Sequence, residues 1–197
     1  MEIGGKLLES FENVRDDVAT RLLDGARNRR SAMHLGTVAT SDADVRIMVL
    51  RAFDQDGWTL RFHTDARSPK CAAIGEGAPV GVLFYDREAK IQLRCRGTGR
   101  IHRDDPLVEQ AWQSSTNFAR RCYLGDGPGT VANGPSSGLP AEWEGREPSD
   151  DVLMPARENF AVLLVDLHEV DWFYLSNDGH RRAVLDLQSG EGRWITP

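Results

Sequence analysis

The chain has 197 residues, 40% hydrophobic and 27% charged, with a formal net charge of −6. That length suits a single domain over residues 1–197 with a full core, and the acidic balance argues against binding nucleic acid through its phosphates. No apolar stretch approaches the roughly 20 residues that cross a bilayer. The start, Met1–Lys6, lacks the basic and apolar regions of a signal peptide, so a cytoplasmic protein off the membrane is expected.

In chain order, Lys6 to about Asn28 reads as an amphipathic helix, with Leu7, Phe11, Val14, Val18, Leu22 and Ala26 at spacings of three and four. Arg27, Arg29 and Arg30 follow as a basic cluster, either a solvated face or a place for a small anion. His34–Thr40 and Val45–Phe53 read as strands joined by the turn residues Ser41–Asp44. Asp54–Gly57 then makes a hairpin turn, with Gly57 able to take positive φ, and Trp58–Thr64 returns. Ser68, Pro69 and Lys70 open a short helix to Ile74.

Pro79–Tyr85 and Lys90–Arg103 are further strands, and Gly97 and Gly99 mark a bulge or a close backbone approach. Asp104 or Asp105 caps a helix carrying Leu107, Val108, Ala111 and Trp112. Gly125–Pro155 is rich in Gly, Pro and Ser and reads as a long functional or mobile loop. Phe160–Leu175, a turn at Gly179, Arg182–Leu187 and an edge strand Gly190–Ile195 complete the chain. This order does not alternate as βαβ units do. It predicts a mainly β, antiparallel barrel with peripheral helices.

Some motifs carry little. Gly134–Gly138 matches G-x-S-x-G, but no strand enters it and no helix leaves it, so it reads as loop. The glycines of Gly125–Gly129 lack the strand-then-helix setting of a phosphate loop. Cys71, Cys95 and Cys122 are widely spaced, and the histidines show no ligand spacing; neither disulfide nor metal is expected.

One constellation does point to chemistry. Arg46-Ile47-Met48-Val49-Leu50-Arg51 places a cation at each end of an apolar strand. His63-Thr64 ends the next strand, and Ser68-Pro69-Lys70 begins a helix. Guanidinium, ammonium, hydroxyl and free N–H groups are what a phosphomonoester requires. Gln92 lies in an apolar strand, and Trp172 and Arg182 sit ten positions apart around the Gly179 turn. Taken singly, each of these residues also suits an ordinary structural role, and Trp172 suits the core.

In that order and spacing the sequence resembles the pyridoxamine 5'-phosphate oxidase family of FMN-binding split barrels, in its broad oxidase-related branch. The resemblance is strongest over Leu35–Arg103 and Val170–Leu187, including Asp65-Ala66-Arg67-Ser68-Pro69-Lys70. It implies an FMN-binding split β-barrel of antiparallel, Greek-key type, working as a homodimer with FMN at the subunit interface. Arg46 and Lys70, aided by Thr64 and Ser68, would hold the FMN phosphate, and Arg67 would also belong to the cofactor site. The backbone of Ile47–Leu50 would lie along the flavin, with Arg51, Gln92 and His63 close to it. Trp172 and Arg182 would arrive from the second subunit, Arg182 as the cation near the flavin's pyrimidine end.

Two departures bear on the substrate. The stretch Ala111–Asn117 lacks the arginine with which true oxidases grip the substrate phosphate, and Asp178-Gly179-His180 replaces their Arg-x-His. Losing two charge-assisted bonds removes roughly 1.5–3 kcal/mol each. The expectation is therefore an FMN-dependent oxidoreductase acting on another small molecule, with Arg51 and His180 as its substrate contacts. The alternatives are a non-catalytic flavin-binding or sensing protein, or a true oxidase in which Arg120 or Arg121 serves the phosphate. A deazaflavin or haem on the same barrel is a further possibility, with His63 or His180 the only axial candidates.

Overall fold

The computed structural model describes residues 9–197. Lys6 and Leu7, the expected start of the first helix, lie outside the described residues. From Phe11 to Arg27 the chain is helical (α1), capped by Ser10, whose hydroxyl accepts the Asn13 N–H at 3.2 Å. Val14, Val18 and Leu22 lie on one face and are fully buried.

Eight strands follow: β1 Leu35–Thr40, β2 Val45–Asp54, β3 Thr59–Asp65, β4 Ala78–Asp86, β5 Ile91–His102, β6 Phe160–Tyr174, β7 Arg181–Asp186 and β8 Gly192–Trp194. Short helices α2 (Pro69–Ile74), α3 (Pro106–Gln113), α4 (Asn117–Arg120) and α5 (Asp150–Leu153) lie between them. The strand order is β3-β2-β1-β4-β5-β6-β7-β8, and β3 also pairs with β6. The first six strands therefore close into an antiparallel barrel. Its β4-β1-β2-β3 portion has Greek-key order, the crossover running through α2.

Alternation along each strand fills the barrel. Leu50, Leu60, Phe62, Phe84, Leu93, Leu163 and Trp172 point inward and pack with the buried face of α1. A second apolar cluster, Val108, Ala111, Trp112, Leu153, Phe160 and Val162, fixes α3 and α5 against β6. Asp105 provides the expected cap of α3, accepting the Val108 N–H at 3.0 Å. Between Gly125 and Pro155 the chain is largely irregular, with a single-turn helix at Ala141–Trp143 and α5 near its end. Among the described residues no helix is long and apolar enough to cross a membrane.

Glycine placement is partly as expected. A Cβ on Gly97 would lie 2.3 Å from the Asp166 carbonyl oxygen, and the β5–β6 register shifts between Arg96 and Gly97. Gly179 has φ of 119° in its turn. The hairpin does not use the freedom that Gly57 offers. The left-handed residue is Trp58, at φ 48°, while the Asp54 carboxylate accepts the N–H groups of Asp56 and Gly57, both at 3.2 Å. That carboxylate tightens the turn and shifts the positive φ one residue on.

Two irregularities in β2 shape the rest. Residues Val45–Val49 pair with β1, whereas only Leu50–Asp54 pair with β3. The first half of β2 thus presents an unpaired main-chain edge where β3 turns away towards β6. Arg51 is the extra residue of a bulge, since the register steps from Leu50↔Phe62 to Ala52↔Arg61.

Candidate functional site

A cavity of about 330 Å³ opens where β2 parts from β3. Arg46, Ile47, Met48, Val49 and Arg51 form its β2 wall, and His63, Thr64, Asp65 and Lys70 form the opposite one. Local folding explains the second wall. Thr64 and Ser68 are nearly buried, at 5% and 6% exposure, and Lys70 bends back from the first turn of α2 onto both hydroxyls. Its Nζ donates to Ser68 Oγ at 2.5 Å and to Thr64 Oγ1 at 3.1 Å. Burial, with Arg46 nearby, pulls the Lys70 ammonium below the ordinary lysine range.

Among the described residues no carboxylate pairs with Lys70, so an anion in the cavity would meet an uncompensated ammonium. Arg46 is held beside it by Asp44, with which it forms an ion pair, and donates to Thr40 Oγ1 at 3.0 Å. Arg67 is engaged by Asp65, its Nη2 to Oδ2 at 2.7 Å, and its Nη1 donates to the Gly125 carbonyl at 2.9 Å. It braces the cavity rim and the start of the long loop.

The donor set fits FMN. Two cations and two hydroxyls answer a phosphate, and the unpaired β2 edge offers N–H and C=O groups to a flat heterocycle. Burial, then the charges of Arg51 and Arg61, push His63 down to about 3, so it is a neutral ring at ordinary pH. Cys122, Tyr123 and Pro128 also line the cavity. Sequence reasoning missed them because they stand outside any motif. Tyr123 is held by ring contacts, edge-on to Phe160 at 5.1 Å between centroids, and burial raises its phenol pKa.

Other expected residues lie elsewhere in the same chain. Leu50 is fully buried in the barrel. Gln92 sits on the outer face of β5, in a separate hollow with Thr37, Leu83 and Arg94. Trp172 belongs to the core at 0% exposure, its indole N–H donated to Asp17 at 3.0 Å. Arg182 is bonded bidentately to Asp171, at 2.9 and 2.7 Å, and lies over the Phe173 ring. His180 is exposed and packs edge-on to Phe173 at 5.6 Å. Gln92, Phe173 and Arg182 nevertheless form one cross-strand row. A single chain therefore gathers the phosphate-side residues and sets Gln92 and Arg182 apart from them, on the outer faces of β5 and β7.

The class this architecture defines is the FMN-binding split barrel. Residues 15–103 match the family model of the pyridoxamine 5'-phosphate oxidase FMN-binding domain, a match that supports FMN as the cofactor. Two solved structures share the fold over nearly their whole lengths. One is a pyridoxamine 5'-phosphate oxidase-related, FMN-binding protein from Nostoc punctiforme, 24% identical with TM-score 0.71, covering 92% of this chain and 96% of that one. The other is PhzG from Burkholderia lata, 17% identical with TM-score 0.64, covering 93% and 90%. A general stress FMN/FAD-binding protein from Xanthomonas citri aligns at TM-score 0.51 and 14% identity, over 84% of this chain and 92% of that one. A search of curated protein sequences found no match.

Proposed function

We propose that the chain is an FMN-dependent oxidoreductase acting on a small molecule other than pyridoxamine 5'-phosphate. The observation that carries this reading is the unpaired edge of Val45–Val49 facing an uncompensated Lys70. In this reading Lys70 and Arg46 hold the phosphate with Thr64 and Ser68, and the Ile47–Val49 edge aligns the ring. Bound FMN supplies the hydride and electron chemistry. The side chains around the cavity suit positioning more than proton transfer. Asp65 is committed to Arg67, and His63 carries no imidazolium proton near neutrality.

The rival reading, oxidation of pyridoxamine 5'-phosphate, needs a replacement for the missing phosphate grip. Arg120 is 7% exposed and spends its donors on the carbonyls of Trp112 and Gln113, both at 2.8 Å, and on Asp150. Arg121 lies over Phe118 at 3.6 Å and donates to the Trp143 and Arg146 carbonyls. Arg120 is occupied by the fold, and Arg121 is turned to loop carbonyls and the Phe118 ring.

The reading includes a homodimer. Leu35, Val45, Ile47, Leu83 and Tyr85 are all exposed, between 39% and 68%, on the outer face of β1, β2 and β4. That face continues into the row Tyr85–Gln92–Phe173–Arg182. A second copy docked on it would bury the apolar patch and supply Gln92 and Arg182 to a cradle they do not reach alone. Cys71 and Cys95 are buried free thiols, which suits a reducing cytoplasm.

The test is the visible spectrum of the purified protein, followed by anaerobic exposure to candidate reductants. Flavin bands released as FMN, and bleached by a reductant that is turned over, are expected. A colourless protein that takes up no FMN sinks the reading. Bound FMN that no reductant bleaches makes it a flavin carrier, and turnover of pyridoxamine 5'-phosphate at an oxidase's rate restores the rival.

A further inference from the structure

A second cleft, of about 420 Å³, lies between the end of α1, the strands β2 and β3, and the α3–α4 turn. Arg27, Arg29, Arg51 and Arg61 line it, and among the described residues no carboxylate does. Elsewhere in the chain arginines are commonly paired, as Arg21, Arg67, Arg120, Arg157 and Arg182 are. Among the described residues, none of the four in the cleft forms an ion pair or donates a side-chain hydrogen bond. In a protein of net charge −6, this is a local excess of positive charge that nothing among the described residues offsets.

The cleft also holds unsatisfied buried side-chain nitrogens. Among the described residues, the buried side-chain nitrogens without a partner are Arg61 Nε, His63 Nε2 and Arg121 Nε, and the first two belong to lining residues. Such groups are costly unless something occupies them. Thr116, on the α3–α4 turn, accepts the Ala119 N–H at 3.3 Å and keeps its own hydroxyl proton for a ligand. Arg51 and His63 line both this cleft and the FMN cradle, so the two spaces adjoin. The bulge sets Arg51 at their junction.

We propose that this cleft binds the carboxylate or phosphoryl groups of a small polyanion, and that the substrate is such an anion, held chiefly by Arg29 and Arg61 with Arg51 shared between both sites. The substrate role rests on the oxidoreductase reading above, whereas the binding itself does not. Guanidinium groups grip both kinds of oxyanion through paired N–H donors, so carboxylate and phosphoryl ends share one recognition chemistry.

The test uses FMN-loaded protein, in which the phosphate cradle is filled, and two probes, citrate and inorganic pyrophosphate, in calorimetric titrations. Saturable binding at or below about 1 mM is expected for one probe or both. Citrate alone identifies a carboxylate end, pyrophosphate alone a phosphoryl end, and both a general oxyanion site. Arg29→Gln and Arg61→Gln are expected to weaken binding at least tenfold each, while Arg87→Gln, an exposed turn residue, leaves it unchanged. If Arg61→Gln fails to fold, the exposed Arg29 and Arg27 carry the comparison. Absence of binding by both probes, or equal binding by Arg29→Gln and wild type, overturns the proposal. Flavin content is read separately by absorbance. Its loss speaks against the cofactor reading, and unchanged content with no probe binding speaks against the cleft alone.

Discussion

Trp172 donates its indole N–H to Asp17 at 3.0 Å across a sequence separation of 155, joining the long strand β6 to the first helix. Asp17 also holds Arg21 at 2.9 Å, and Arg21 in turn holds Asp86 on β4. The tryptophan is thus an anchor of α1 on the barrel. Trp172→Phe is expected to lower stability by about 1–3 kcal/mol, from the lost hydrogen bond and the smaller ring. FMN affinity should stay within about twofold, because the ring is enclosed. Urea unfolding and flavin-fluorescence titration measure the two effects. Tenfold weaker FMN binding at unchanged stability would put the residue in the flavin site instead.

Lys70 is the counterpart on the binding side. Lys70→Met is expected to weaken FMN binding at least tenfold by removing a charge-assisted contact to the phosphate. The pH dependence has a defined sign. Burial depresses its pKa below the ordinary 10.5, so the unliganded protein loses this proton early as pH rises. FMN binding at alkaline pH then takes up a proton and weakens with further increase. A binding constant independent of pH from neutrality to about 10 would show that Lys70 does not meet the phosphate.

His63 makes stability acid-sensitive. Its ring titrates at about 3 in the folded chain against 6.5 when unfolded. Between those values the unfolded chain binds a proton that the folded chain does not. Stability is therefore full above 6.5 and falls as pH drops towards 3, by up to about 1.4 kcal/mol per pH unit. His63→Leu removes this slope while keeping an apolar contact with Phe160, and melting temperature against pH reports it. Parallel curves for variant and wild type would contradict the assignment.

The exposed apolar face offers a further prediction. Ile47→Lys combined with Leu83→Lys places charges on β2 and β4, either side of Thr37 on β1, at residues 68% and 39% exposed. The fold should survive, since both side chains face outward, but the pair should convert a dimer to a monomer in light scattering. FMN affinity is expected to fall by at least tenfold with it, since Gln92 and Arg182 would no longer be supplied. A monomeric wild type, or a monomeric variant with full affinity, removes the dimer from the proposal.

Much of the cradle was legible in the sequence because its parts are local. Arg46–Arg51 is a strand by pattern, and Ser68-Pro69-Lys70 is a helix start by capping chemistry, so their adjacency needed only one hairpin. The split between β2 and β3 was not legible, because register is set by pairings whose partners lie far away in sequence, such as Asp65 opposite Phe160. Trp172 could not be assigned by type, as tryptophan serves core and cofactor equally well until Asp17 is seen beside it. Arg61 stands outside every motif, and the cleft it lines exists only once Ser114, Ser115 and Thr116 are brought beside it. Gly57 was a matter of local competition, decided by the Asp54 carboxylate.

The bulge at Arg51 also acts as a switch of parity. Before it, inward positions of β2 are even-numbered, as with Met48 and Leu50; after it they are odd-numbered, as with Phe53. Deleting that one residue would join Leu50 to Ala52 and restore plain alternation, with Met48, Leu50 and Phe53 still facing inward and both registers kept. What the strand would lose is the outward Arg51 and the extra twist that a bulge adds where β2 parts from β3. The added residue therefore serves the cavity rather than the core.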